Sequence, residues 1–121
     1  MIRGVRGATT VPRNTEEEIL HHTYELLVEM VQQNEIKASD VASVFISTTE
    51  DVNNTFPARA LRKLEGWTYV PVMCMNEIAV PGSLPMCIRV MIHVNTNRDQ
   101  RDMHHIYHHQ AVKLRPDLTK S

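Results

Sequence analysis

Arg6, Arg59, Arg62, Arg89 and Arg115 are the side chains of this sequence best suited to binding chemistry. Nine of its thirteen cationic residues are arginine, whose planar guanidinium grips a carboxylate through two parallel hydrogen bonds. Taken singly, an arginine is more often an exposed ion-pair residue than a ligand contact. Arg89 is different. It sits in the middle of MCIRVMIHV, residues 86–94, the most apolar strand-like run in the chain, and a charge there must be met by a partner or a wet cavity. Glu77 opens the loop that follows a neighbouring strand-like run. Arginines converging on one place imply an anionic small molecule, most simply a dicarboxylate.

Other chemistries find less support. Cys74 is the one thiol placed near a strand end, no histidine lies near it in sequence, and a cysteine there behaves mostly as a small hydrophobe. The chain contains no G-x-S-x-G nucleophile turn, no G-x-x-x-x-G-K-[ST] loop and no glycine-rich phosphate fingerprint after a strand. His104, His105, His108 and His109 fall in a segment, residues 99–110, that reads as helical. On a helix His104/His108 and His105/His109 would each share a face at a metal-binding spacing. The doublets diverge, and no H-E-x-x-H pattern accompanies them, so surface positions are expected and no metal is assigned.

The elements that must position these residues follow from periodicity. IRGVRGA, residues 2–8, reads as a strand with Gly4 and Arg6 on one face and Val5 and Gly7 on the other. Thr15 followed by Glu18 is a capping box, and Ile19, Leu20, Leu26, Leu27, Met30 and Val31 then form one helical stripe that stops near Asn34. His21, His22 and Glu25 fall off that stripe, on a solvated face. VASVFIST, residues 41–48, is a second strand. Pro57 opens a short helix, ARALRKLE, closed by Gly66. TYVPVMCM, residues 68–75, is a third strand, and Pro71 makes it an edge strand or interrupts it. In residues 86–94, Ile88, Val90, Ile92 and Val94 share one face, and Cys87, Arg89, Met91 and His93 the other. The order β-α-β-α-β-β-α predicts an α+β fold, a mixed sheet with helices on one face. Two long helices and a short one cover a single face, so the other is expected to meet further subunits.

The chain has 121 residues and a mass of 13.9 kDa, which predicts one domain over 1–121 with 114–121 as a flexible tail. Hydrophobic residues make up 42%, which argues against disorder, and no run approaches the roughly 20 apolar residues of a membrane span. Thirteen basic against fourteen acidic residues give a net charge of −1, which favours neither nucleic acid nor membrane as a partner. Two cysteines are too few for a disulfide scaffold, and with no signal-peptide pattern at the start the expected location is the cytoplasm.

Five blocks in order, IRGVRGATT (2–10), FPARAL (56–61), GWTYVPVMCMNEI (66–78), CIRVM (87–91) and LRPDL (114–118), closely resemble the monofunctional chorismate mutases of the AroH class. The resemblance implies a homotrimer built as a pseudo-α/β barrel, with active sites between subunits and no cofactor. It implies the intramolecular Claisen rearrangement of chorismate to prephenate. Arg89 matches the family's cation at the ether oxygen, Glu77 its carboxylate at the ring hydroxyl, Arg6 its carboxylate-gripping arginine and Tyr107 its hydrogen-bond donor to the enolpyruvyl side. Cys74 lies near Glu77 in a wall that includes Met73, Met75 and Asn76. Phe56 and Ala58 match positions lining the cleft from the neighbouring subunit. Arg62 and Arg115 match mobile cations at its mouth, and Leu114 would help close it. Arg59 stands where the family has lysine and Met73 where it has threonine. The alternative is a trimeric carboxylate-binding or regulatory protein of similar architecture without mutase activity.

Overall fold

The computed structural model describes residues 1–114. Strand β1 spans Ile2–Thr10, two residues beyond the expected run, and buries Val5, Gly7 and Thr9 on one face. Helix α1, Glu16–Asn34, starts as the capping box predicts: Thr15 is extended, and its hydroxyl accepts from the Glu18 amide at 3.2 Å. The Glu18 carboxylate reaches forward to His22. The helix ends in a Schellman motif. Glu35 takes a left-handed conformation (φ 51°), its amide donates to Gln32 and that of Ile36 to Val31, while Ile36 packs into the core. The stripe Ile19, Leu26, Leu27 and Met30 is fully buried against the sheet.

Close approach of α1 to β1 requires Gly7. A Cβ there would collide with Met30 Sδ and sit 3.2 Å from Leu26 Cδ1, both in fully buried side chains. Gly7→Val is expected to cost about 1–3 kcal/mol through overpacking, measured as a lower midpoint in thermal unfolding.

The sheet has the order β3-β2-β4-β1-β5, with β2 Val41–Thr48, β3 Val72–Asn76, β4 Cys87–Asn95 and β5 Ile106–Tyr107. β4 runs antiparallel to both β1 and β2, while β3 is parallel to β2 and β5 parallel to β1, so the sheet is mixed as expected. Pro71 lies just outside β3, an edge strand that begins one residue later. Residues 68–70 make a turn, since proline cannot donate to the ladder. ARALRKLE is not an α-helix; Pro57–Lys63 forms 3₁₀ turns, followed by Gly66 at φ 85°. That segment and α1 cover the same face, closing a core over Val44, Ile46, Ile88, Val90 and Ile92.

The expected helix over 99–110 is absent. Gln100–Asp102 and His109–Lys113 are short 3₁₀ segments, and Ile106–Tyr107 is β5. Histidine and aspartate are weak helix formers, and the outer edge of β1 offers unpaired backbone groups that the segment satisfies instead. The His108 amide donates to Ala8 carbonyl at 2.9 Å, and His105 Nδ1 accepts from the Arg6 amide at 2.9 Å. Buried Asn34 holds the near end, donating to the His104 carbonyl and accepting from its amide. α1 is therefore the only α-helix among the described residues, and the predicted His104/His108 and His105/His109 helix faces do not exist.

On the face away from α1 lie Arg6, Phe45, Met73, Arg89, Met91 and His93. Met73 is 62% exposed and Phe45 and Met75 also show. No helix covers this apolar and cationic surface among the described residues. No described helix is long and apolar enough to cross a membrane.

Candidate active site

Strand register collects the first group. Arg89, central in β4, faces Ala8 across one ladder and Ser47 across the other, so all three share the uncovered face. Tyr107 stands beside Ala8 on the far side of β1. Arg6, two residues before Ala8, points the same way and its Nε donates to the Tyr107 hydroxyl at 3.2 Å. Arg6, Arg89, Tyr107 and Leu114 line one recess of ≈ 100 Å³. Four residues that are distant in sequence thus converge, two of them cations.

Glu77 follows β3 directly, and its amide donates to the Thr48 carbonyl at 2.8 Å, which continues the β2 pairing one residue further. Its carboxylate accepts a short hydrogen bond from Ser47 Oγ, and the same oxygen lies 3.4 Å from Arg89 Nε. That Nε is buried and makes no aligned hydrogen bond. Arg89 is thus held by one neighbouring charge with donor capacity left over, in a partly exposed position where a second acceptor can reach it. Ser47 is the site residue that the sequence did not single out. It shares a strand face with Ser43 and Phe45, but only the β2–β4 register shows that it meets Glu77 and Arg89.

A second group lies apart, over the 3₁₀ segment. Phe56, Ala58, Arg59, Arg62 and Cys74 line a hollow of ≈ 400 Å³. Phe56 is 70% exposed. Arg59 is engaged, donating to Glu16 Oε1 at 2.7 Å and to Thr55 Oγ1 at 2.9 Å, whereas Arg62 is exposed. Cys74 points to the core side of β3, away from Met73 and Met75 on its open side, and Asn76 ends the strand. Cys74 belongs with Phe56 and Ala58 rather than in the Arg89 recess. Burial pushes the Cys74 thiol up from its ordinary value, only partly offset by a backbone hydrogen bond from Ala58, so it stays protonated at neutral pH. Cys87, beside Arg89, is raised by burial as well, against the lowering effect of the Arg89 charge. Neither thiol has the environment of a nucleophile. Arg115 and the tail beyond it lie outside the described residues.

One chain therefore carries two separate recesses lined by residues the sequence singled out. The Arg89 recess is cationic and too small to enclose a ring bearing two carboxylates, and the Phe56 hollow supplies apolar wall and further arginines.

A family model described as chorismate mutase type I matches residues 2–118. The chain is 51% identical over 119 residues to a protein from Bacillus subtilis (strain 168) named chorismate mutase AroH, covering 98% of this chain and 94% of that protein. It is 44% identical over 119 residues to another of that name from Thermus thermophilus, with 98% and 97% covered. Among solved structures, a chorismate mutase from Clostridium thermocellum matches with a TM-score of 0.86 and 49% identity, covering 89% of this chain and 96% of that chain.

Proposed function

The chain belongs to the type I chorismate mutases, and from that membership we propose how it converts chorismate into prephenate: by restraint and fixed charge, in a cleft formed between subunits of a homotrimer. Chorismate mutase is its activity; the residue roles and the assembly are our inference.

Chorismate carries two carboxylates, and its enolpyruvyl arm must fold over the ring before the C–O bond breaks and the C–C bond forms. Holding it folded converts a rare conformer into the bound one. Arg6 grips a carboxylate, and Tyr107, whose hydroxyl already accepts from Arg6, donates a hydrogen bond to the enolpyruvyl side. As the C–O bond lengthens, negative charge gathers on the ether oxygen. Arg89 meets it there. The guanidinium stabilises the transition state more than the substrate, which is the condition for a faster turnover. Glu77, oriented by Ser47, holds the ring hydroxyl and complements the relatively positive ring. Met73, Met75 and Asn76 contribute wall along and beyond the edge of β3. Phe56, Ala58, Arg59, Arg62 and Cys74 of a neighbouring subunit close the opposite side, with Leu114 at the mouth. No protein atom bonds to the substrate.

The observation that carries this mechanism is the Arg89 guanidinium itself. A central strand holds it, Glu77 compensates it incompletely, and it stands next to Arg6 and Tyr107 in a recess on the uncovered face of the sheet. The trimer is supported by the uncovered face of the sheet and by the separation of the two partial sites on one chain.

Purified protein supplied with chorismate should deplete its absorbance and yield prephenate against a protein-free control. Saturable binding without prephenate would instead favour a carboxylate-binding protein. Light scattering should return about three times the 13.9 kDa chain mass; a monomer would leave the two partial sites unjoined and overturn the shared cleft.

A further inference from the structure

Away from that cleft, α1 and the segment after β5 bring together three side chains of metal-ligating type. His22 Nδ1 or Nε2, a Glu25 carboxylate oxygen and a His109 ring nitrogen lie within 4.8 Å of one another. His22 and Glu25 are three apart on α1 and so share a helix face. His109 arrives from the other side, its ring edge-on to that of His22 with centroids 5.0 Å apart.

The arrangement around His22 is what a metal ligand needs. Its Nε2 lies 3.0 Å from Glu18 Oε2, so the proton belongs on Nε2 and the lone pair on Nδ1. A carboxylate behind the ring is the usual device for fixing the tautomer and orientation of a ligating histidine. Nδ1 is buried, has no hydrogen-bond partner, and lies 4.0 Å from Glu25 Oε1. A buried acceptor without a donor costs stability unless something fills the gap. His109 reaches the cluster from a left-handed backbone (φ 54°), a conformation that residues with a Cβ seldom adopt. Two other histidines of that segment are committed elsewhere: His108 pairs with Glu29 at 2.6 Å, and His105 accepts from the Arg6 amide.

We propose that His22, Glu25 and His109 bind one divalent transition-metal ion, zinc by preference, which ties the C-terminal segment to α1. Two imidazoles and a carboxylate suit zinc, whose ligand atoms at about 2.0–2.1 Å from the ion stand closer together than 4.8 Å. Small rotations of Glu25 and of exposed His109 would close that difference. Glu25 also meets His21 at 3.2 Å, and that contact would yield to the ion. His22 and His109 also border a hollow of ≈ 400 Å³ walled by Pro12, Leu84 and Met86, which leaves a fourth coordination position for water.

The test is calorimetric titration of zinc chloride into the full, untagged, EDTA-treated protein, so that its outcome is independent of mutase activity. One equivalent per chain is expected, with a thermal unfolding midpoint that rises with zinc. Exposed His109 can be replaced without disturbing the core, and His109→Ala should weaken binding at least tenfold and abolish the thermal shift. Glu18→Gln, which removes only the orienting carboxylate, should cost about 10–100-fold in affinity. His104→Ala should change nothing. Absence of stoichiometric binding, or equal affinity in the parent and His109→Ala, would overturn the site.

Discussion

Arg89→Met, or the neutral isostere citrulline at position 89, is expected to lower kcat by about 10²–10³-fold or more, the range for removing one preorganised donor to a developing oxyanion, with a full charge in a closed cleft at the upper end. The effect should fall on kcat, because the ether oxygen is nearly neutral in bound chorismate and becomes an acceptor of consequence only as its bond breaks. Arg6 offers the contrast. In the proposed cleft it would meet a carboxylate that is charged in substrate and transition state alike, so Arg6→Ala should raise KM more than it lowers kcat. Arg89→Lys keeps a charge and loses the fork, and should fall between. Circular dichroism and light scattering on each variant separate lost chemistry from lost structure. Arg89 is partly exposed, so its removal opens no core cavity. Near-normal turnover in Arg89→Met would refute the assignment.

Activity should return when two inactive variants share a trimer. Arg89→Met removes one partial site, and Arg59→Ala/Arg62→Ala weakens the other; each alone should be severely impaired. If a cleft takes the Arg89 side from one chain and the Phe56 side from its neighbour, random mixing at equal amounts pairs two intact sides in about one quarter of clefts. Co-expression or refolding of the mixture should therefore give about a quarter of parental turnover, and mixing the folded trimers without exchange should give almost none. Failure of the mixed trimers to recover would place both sides of the cleft on a single chain, against the geometry described above.

The elements legible in the sequence were those with a local physical signature. Thr15 and the stripe from Ile19 to Val31 announced α1 because capping and the 3.6-residue period are satisfied within the helix itself. The alternation of residues 86–94 announced β4, and a charge at its centre marks Arg89 whatever strands pair with it. Pro71 announced an edge strand or an interruption for the same reason, since a missing amide is a property of one residue, and β3 is an edge strand that starts just after it. Residues 99–110 read as a helix yet form none, because their conformation depends on an edge of β1 about a hundred positions away, where His108 and His105 find backbone partners.

Legible along the chain is the inventory: the arginines and the carboxylate, the periods that build one helix and most of the strands, and five blocks similar to a known family. The adjacencies come from folding. Ser47 meets Glu77 and Arg89 because β2 and β4 pair in one register and no other. Cys74 faces the Phe56 hollow because the side of a strand is set by its neighbours. His109 meets His22, rather than a residue four positions away, because its segment pairs with β1 instead of coiling. Local hydrogen bonds and periodicity are written along the chain. Contacts between distant segments depend on which edges and faces win when all of them compete for the same core.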